Sequence, residues 1–261
     1  MKKVVSLRYG VIFKKAFSNV NIFKGFVRDI LGINIEIEKI EAEKVFSIPI
    51  GNIYPCFDLY VEDKKNRVIV QIQHERYSDY YDRFLHYHCL MLLEQVKNYI
   101  DYQPPLRVYT IVVLTSSDKH KKDVSVIDFD PVDLEGNRLG EIHHKIIYLC
   151  PKYCNEKTPT LYQEWLDAIT DTFDGKVEES KYILTEIQQL FDAINIANIS
   201  ESEQAVMMEE NYIEEKRHEG FEKGIYEGKL LTAKSLFSMG MSTAIVKQAT
   251  GLSDEQLGEI E

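Results

Sequence analysis

Cysteine, tryptophan and long apolar runs are all scarce in this chain. Four cysteines, Cys56, Cys89, Cys150 and Cys154, in 261 residues do not make a disulfide framework. Cys150-Pro-Lys-Tyr-Cys154 offers two zinc thiolates, but no comparable local pair completes the set apart from His143-His144. Reduced, mostly buried thiols are the expectation. No apolar run reaches the roughly 20 residues that a membrane-spanning helix needs. The basic start, Met1 to Arg8, has too short an apolar core for a signal peptide. A cytoplasmic protein with no membrane partner is therefore expected. Positive charge is short as well: the net charge is −11. This argues against a protein that coats nucleic acid by bulk electrostatics, though a local basic rim is compatible with an acidic body.

What is present is a core-sized set of periodic segments. Apolar residues from Val11 to Leu31 recur at three- and four-residue spacing. Ser18-Asn19 divides them into two helices, with Asn19 or Asn21 as a cap and Gly32 as the stop. Ile33 to Val45 alternates as a half-buried strand does. Pro49-Ile50-Gly51-Asn52 reads as a turn. A hairpin follows: a strand over 53–62 carrying Asp58, a turn at 62–66, and a strand over 67–73 ending in Gln71-Ile72-Gln73. A helix is expected from Arg76 to about Ile100. Leu106 to Thr115 is a buried strand at the sheet centre, with shorter strands at 124–129 and 145–149. The fold class is α/β: a mixed sheet flanked by helices, with an all-helical C-terminal extension.

Beyond Pro151 the pattern is helical: 160–172 with Trp165, then 178–194, then 200–219. Gly220, Gly224 and Gly228 follow at four-residue spacing. Each costs a helix interior about 1 kcal/mol relative to alanine, so either a close helix–helix groove or a flexible linker is implied. The end reads as helices over 230–239 and 243–249 and a start at Ser253, the spacing of a small helix-turn-helix unit. Its weak basicity favours packing on a partner chain over reading DNA. Three regions are expected: a core over 1–155, a helical extension over 156–219 and a Gly-rich helix with its tail over 220–261.

The hairpin carries the chemistry. Side chains alternate along a strand, so positions 71 and 73 share a face, and Asp58 lies on the neighbouring strand. An acid on one strand, an acid on the next and a polar residue two further on make a divalent-metal site, two carboxylates holding the ion and the third group orienting water; here position 71 is an amide where such a site wants a carboxylate. An ordinary hairpin with an acid near its turn gives the same spacing.

Four stretches resemble a known family: Gly10-Val11-Ile12-Phe13-Lys14-Lys15-Ala16-Phe17; Phe57-Asp58-Leu59; Val70-Gln71-Ile72-Gln73-His74-Glu75-Arg76 with Asp79 and Arg83; and the glycine repeat with Ala249-Thr250-Gly251-Leu252-Ser253. They resemble the PD-(D/E)XK nuclease superfamily, and more closely the recombination-promoting nuclease (Rpn) and putative-transposase family. The resemblance implies a PD-(D/E)XK-like sheet and Mg²⁺- or Mn²⁺-dependent hydrolysis of DNA. It implies Asp58, Gln71 and Gln73 as the catalytic set, with Asp58 and Gln71 on the metal. The chain departs from the family pattern twice: Gln71 and Gly10 stand where the family usually has acids. An amide donates a carbonyl oxygen but no charge, so a weakened metal site follows. Three accounts stay open: a natural relative that kept only DNA or protein binding, an engineered Glu-to-Gln change at 71, or compensation by a neighbour such as Glu75. His74 is a further supporting candidate. Lys14, Lys15, Arg76 and Arg83 are candidate phosphate contacts. Homo-oligomerisation through the C-terminal helices is expected.

Overall fold

The computed structural model describes residues 1–46, 55–74, 80–96 and 104–258. In chain order these form β1 (Lys2–Lys3), α1 (Gly10–Phe17), α2 (Val20–Leu31), β2 (Glu41–Val45), β3 (Cys56–Glu62), β4 (Asn66–Gln73), α3 (Tyr80–Leu93), β5 (Arg107–Leu114), β6 (Val124–Asp128), β7 (Lys145–Leu149), α4 (Thr160–Asp171), β8 (Lys176–Val177), α5 (Thr185–Ala193), α6 (Glu201–Ser238), α7 (Thr243–Thr250) and α8 (Asp254–Gly258). They fall into two units, Met1–Gln204 and Ala205–Glu261.

The first unit is built on a six-stranded sheet of order β2-β3-β4-β5-β7-β6. β2, β3 and β4 form an antiparallel meander, β4, β5 and β7 run parallel, and β6 returns antiparallel at the edge. The unbroken apolar runs sit where both faces are covered. β5 is buried from Val108 to Leu114, and β4 from Asn66 to Gln71, as parallel inner strands require. The hairpin turn is fixed by Asp63, whose Oδ1 accepts from the Lys65 and Asn66 amides at 2.8 and 2.7 Å.

α3 packs Phe84 against Val112, Leu114, Ile146 and Tyr148, and packs Leu90 and Met91 against Phe57, Tyr60, Ile69 and Val108. The buried guanidinium of Arg67 ties β4 to this helix through Glu94 at 2.8 Å and the Met91 carbonyl at 3.0 Å. α1, α2 and α4 bring together an aromatic cluster. Phe13 stacks on Phe17 at 4.3 Å, and Phe26 meets Trp165 edge-on at 5.2 Å. Trp165 Nε1 donates to buried Asp29 at 2.9 Å, and Asp29 also holds Arg28.

The break between the first two helices falls as the sequence suggests. Asn19 Oδ1 accepts from the Asn21 and Ile22 amides at 2.9 and 3.4 Å, and Gly32 ends α2 in the left-handed region at φ 69°. Several boundaries differ from expectation. Only 41–45 of the alternating 33–45 stretch is a strand; Ile35, Ile37 and Ile40 are buried without strand pairing. The expected helix 178–194 is shortened: a 3-10 turn over Glu179–Lys181 comes first and α5 covers the rest, while β8, which pairs with β1, lies just before the expected start. Cys56 and Cys89 are exposed, and only Cys150 is buried; all four are free thiols.

In the second unit, α6 continues straight through Gly220, Gly224 and Gly228 rather than breaking there. Its distal part, with α7 and α8, buries Ala233, Val246, Leu252 and Leu257. Among the described residues no helix is long and apolar enough to cross a membrane. The expected turn at 49–52 and the flanks of the expected helix at 76–79 and 97–100 lie outside the described residues.

Candidate active site

The site lies where the β3–β4 ladder opens. Leu59 and Val70 are the last paired residues, and one step further Asp58 stands across from Gln71. There the Asp58 side chain takes over from the main chain: its Oδ2 accepts from the Ile72 amide at 2.9 Å. The strand loses its strict alternation here. Phe57 and Tyr60, three residues apart, share one hydrophobic cluster.

Burial raises the Asp58 carboxyl above its ordinary value, which disfavours the carboxylate. The Ile72 amide opposes the shift, followed by the charges of Lys14 and Arg83, while Glu43 adds to it. Gln71 is buried, and its Nε2 donates to the Cys56 carbonyl at 3.2 Å. Gln73 is half-buried, with Oε1 accepting from the Arg83 guanidinium at 3.4 Å. Arg83 also lies over the Phe84 and Tyr87 rings at 5.5 and 5.6 Å. His74 Nδ1 is 2.9 Å from Thr115 Oγ1, and the Thr115 amide donates to the Gln73 carbonyl at 3.0 Å. The strand ends of β4 and β5 are thereby locked beside the site.

Of the residues expected from sequence, Asp58, Gln71, Gln73 and Arg83 are joined by this geometry, and Lys14 reaches it by charge. Lys15 is turned to other work: its ammonium binds Glu203 at 2.8 Å and the Asn198 carbonyl at 2.6 Å. Gly10 is the first residue of α1 and brings no side chain. Glu75, Arg76 and Asp79 lie outside the described residues. Sequence reading missed Glu43. The pairs Ala42–Leu59 and Lys44–Phe57 flank it, so Glu43 on β2 stands across from Asp58 on β3. It holds φ 54°, unusual for a residue other than glycine, and its carboxylate binds Lys14 Nζ at 2.5 Å. That contact lowers the Glu43 carboxyl. The only sequence signal for Glu43 is its parity in a five-residue strand, and parity means nothing until the register with β3 is known.

An open antiparallel hairpin carrying an acid, continued through a helix into a parallel strand, defines a protein of the PD-(D/E)XK nuclease class. A family model described as "PD-(D/E)XK nuclease family transposase" matches residues 9–219. The chain belongs to that family. No curated protein and no solved structure matches it.

PD-(D/E)XK nucleases generally use divalent metal ions, and this donor set does not fit one well. Magnesium wants carboxylate oxygens and water in a near-octahedral shell. Of Asp58, Gln71 and Gln73 only Asp58 is an acid, one of its oxygens is committed to Ile72, and burial raises its carboxyl above the ordinary value. The nitrogen of Gln71, rather than its oxygen, is committed to Cys56. Among the described residues no group of three His, Cys, Asp or Glu side chains converges as a metal site.

Proposed function

We propose that this chain binds the DNA backbone at the nuclease cleft and has lost efficient phosphodiester cleavage. The observation that carries the reading is the Gln71 amide, which donates to the Cys56 carbonyl where the family usually presents a second acid. Two cations, Lys14 and Arg83, act electrostatically on Asp58. A phosphate brought there meets positive charge without base-specific contacts, as backbone binding requires. The acidic surface overall keeps such binding local and salt-sensitive.

Full metal-dependent endonuclease activity is the competing reading. It is favoured by the retained Asp58 and by Gln73, which Arg83 holds at the strand end. A plasmid-cleavage assay with Mg²⁺ or Mn²⁺ separates the two, run on the native chain, Gln71→Glu, and Gln71→Glu with Gly10→Asp. A gel-shift measurement on the same DNA accompanies it. The proposed function predicts a shift for all three and cleavage only with restored acids. Cleavage by the native chain, or no DNA binding by it, overturns the proposal.

Self-association through the C-terminal helices belongs to the same reading. α6 presents Met208, Tyr212, Phe221 and Leu231 more than half exposed, and a second copy of the helix is a natural cover for such residues.

A further inference from the structure

The poor fit of the cleft to a divalent ion has a counterpart among its own residues. We infer that Lys14 is the resident cation of this cleft: its ammonium serves the Glu43 and Asp58 carboxylates in place of a metal.

Three observations carry this. Glu43 and Asp58 stand across from each other between the flanking pairs Ala42–Leu59 and Lys44–Phe57. Lys14 Nζ binds Glu43 at 2.5 Å, which brings the ammonium to the strand position that the register sets beside Asp58. The lysine is delivered by a rigid element: Phe13, Ala16 and Phe17 anchor α1 in the core, and the Lys14 side chain is only 22 % exposed. A lysine ammonium is a compact point charge with three donors, so it can serve two carboxylates at once. Divalent ions and this ammonium compete for the same oxygens, and the ammonium is covalently tethered. In this chain, then, the tethered ammonium offsets one of the two negative charges at this end of the cleft.

The inference deepens the proposed function and rests on its reading of a cleft without a divalent ion, but its test uses no DNA. Mn²⁺ uptake by the full chain is followed by electron paramagnetic resonance for the native protein, Lys14→Arg, Lys14→Met, and Lys14→Met with Glu43→Gln. Lys14→Met keeps the aliphatic stem against α1, and thermal melting of each variant verifies the fold. Lys14→Gln serves in its place should the thioether disturb packing. Native chain and Lys14→Arg are expected to bind Mn²⁺ weakly, Lys14→Met to bind about tenfold tighter or more, and the double variant to lose that gain. A folded Lys14→Met with no gain overturns the inference, as does a gain that survives loss of Glu43. Either result leaves loss of cleavage standing; cleavage by the native chain sinks that separately.

Discussion

Gln71 and Cys56 are joined across the open end of the hairpin, amide nitrogen to main-chain oxygen, at 3.2 Å. An acid at 71 would turn an oxygen toward that carbonyl in place of a donor. Gln71→Glu is therefore expected to destabilise the metal-free protein by about 1–3 kcal/mol, the cost of an unsatisfied buried group. Added Mg²⁺ should restore the loss in the variant and leave the native melting temperature unchanged. Differential scanning fluorimetry with and without Mg²⁺ checks both.

Asp58 carries a burial penalty. Its folded carboxyl lies above its ordinary value of 3.8, so the penalty is absent when both states are protonated. It grows as the pH rises through the unfolded and then the folded value, and it is complete at neutral pH. Asp58→Asn keeps an oxygen for the Ile72 amide and removes the charge. A higher melting temperature at neutral pH is expected. The advantage should shrink as the pH falls toward 3.8.

His88 is fully buried on α3, with Nδ1 2.9 Å from Thr110 Oγ1 and its ring stacked on Phe129 at 5.0 Å. Burial first, and then His144, pushes its pKa down from 6.5 to about 3. The unfolded chain binds the proton below 6.5 and the folded chain does not, so stability falls as pH drops through that window. His88→Gln should flatten the acid limb between those values by up to about 1.4 kcal/mol per pH unit. Urea titrations across the range measure the slope.

Trp165 Nε1 is a donor to Asp29, a carboxylate only 6 % exposed. Trp165→Phe preserves aromatic packing against Phe17 and Phe26 and removes that donor. A loss of about 1–3 kcal/mol in chemical denaturation is expected.

Gly220, Gly224 and Gly228 lie inside α6, and a Cβ built at any of them meets nothing within 4 Å. Within one chain, alanine at all three should strengthen the helix by about 1 kcal/mol each. If the glycines seat a second copy, the same triple variant loses self-association while gaining helicity. Sedimentation and circular dichroism together decide it. A truncation at residue 200 that sediments as the full-length chain does would rule out the C-terminal helices as the interface.

Elements with strong local signals were legible in the residues alone. Asn19 and Gly32 bound α2 because capping and left-handed geometry are decided within a few residues. The apolar run 107–114 announced the sheet centre because a strand covered on both faces has no polar side. The hairpin of Asp58, Gln71 and Gln73 was legible too, since two-residue periodicity is local. Tertiary structure alone decided the rest. β8 exists because Lys2 and Lys3 pair with it from the other end of the chain. Glu43 joins Asp58 because the β2–β3 register places it there. Lys14 leaves its solvated helix face because that register puts a carboxylate within reach. Gln71 was legible as a missing charge; that its nitrogen turns to the Cys56 carbonyl depends on two strands parting at Asp58, a relation between residues 15 apart that no local pattern encodes.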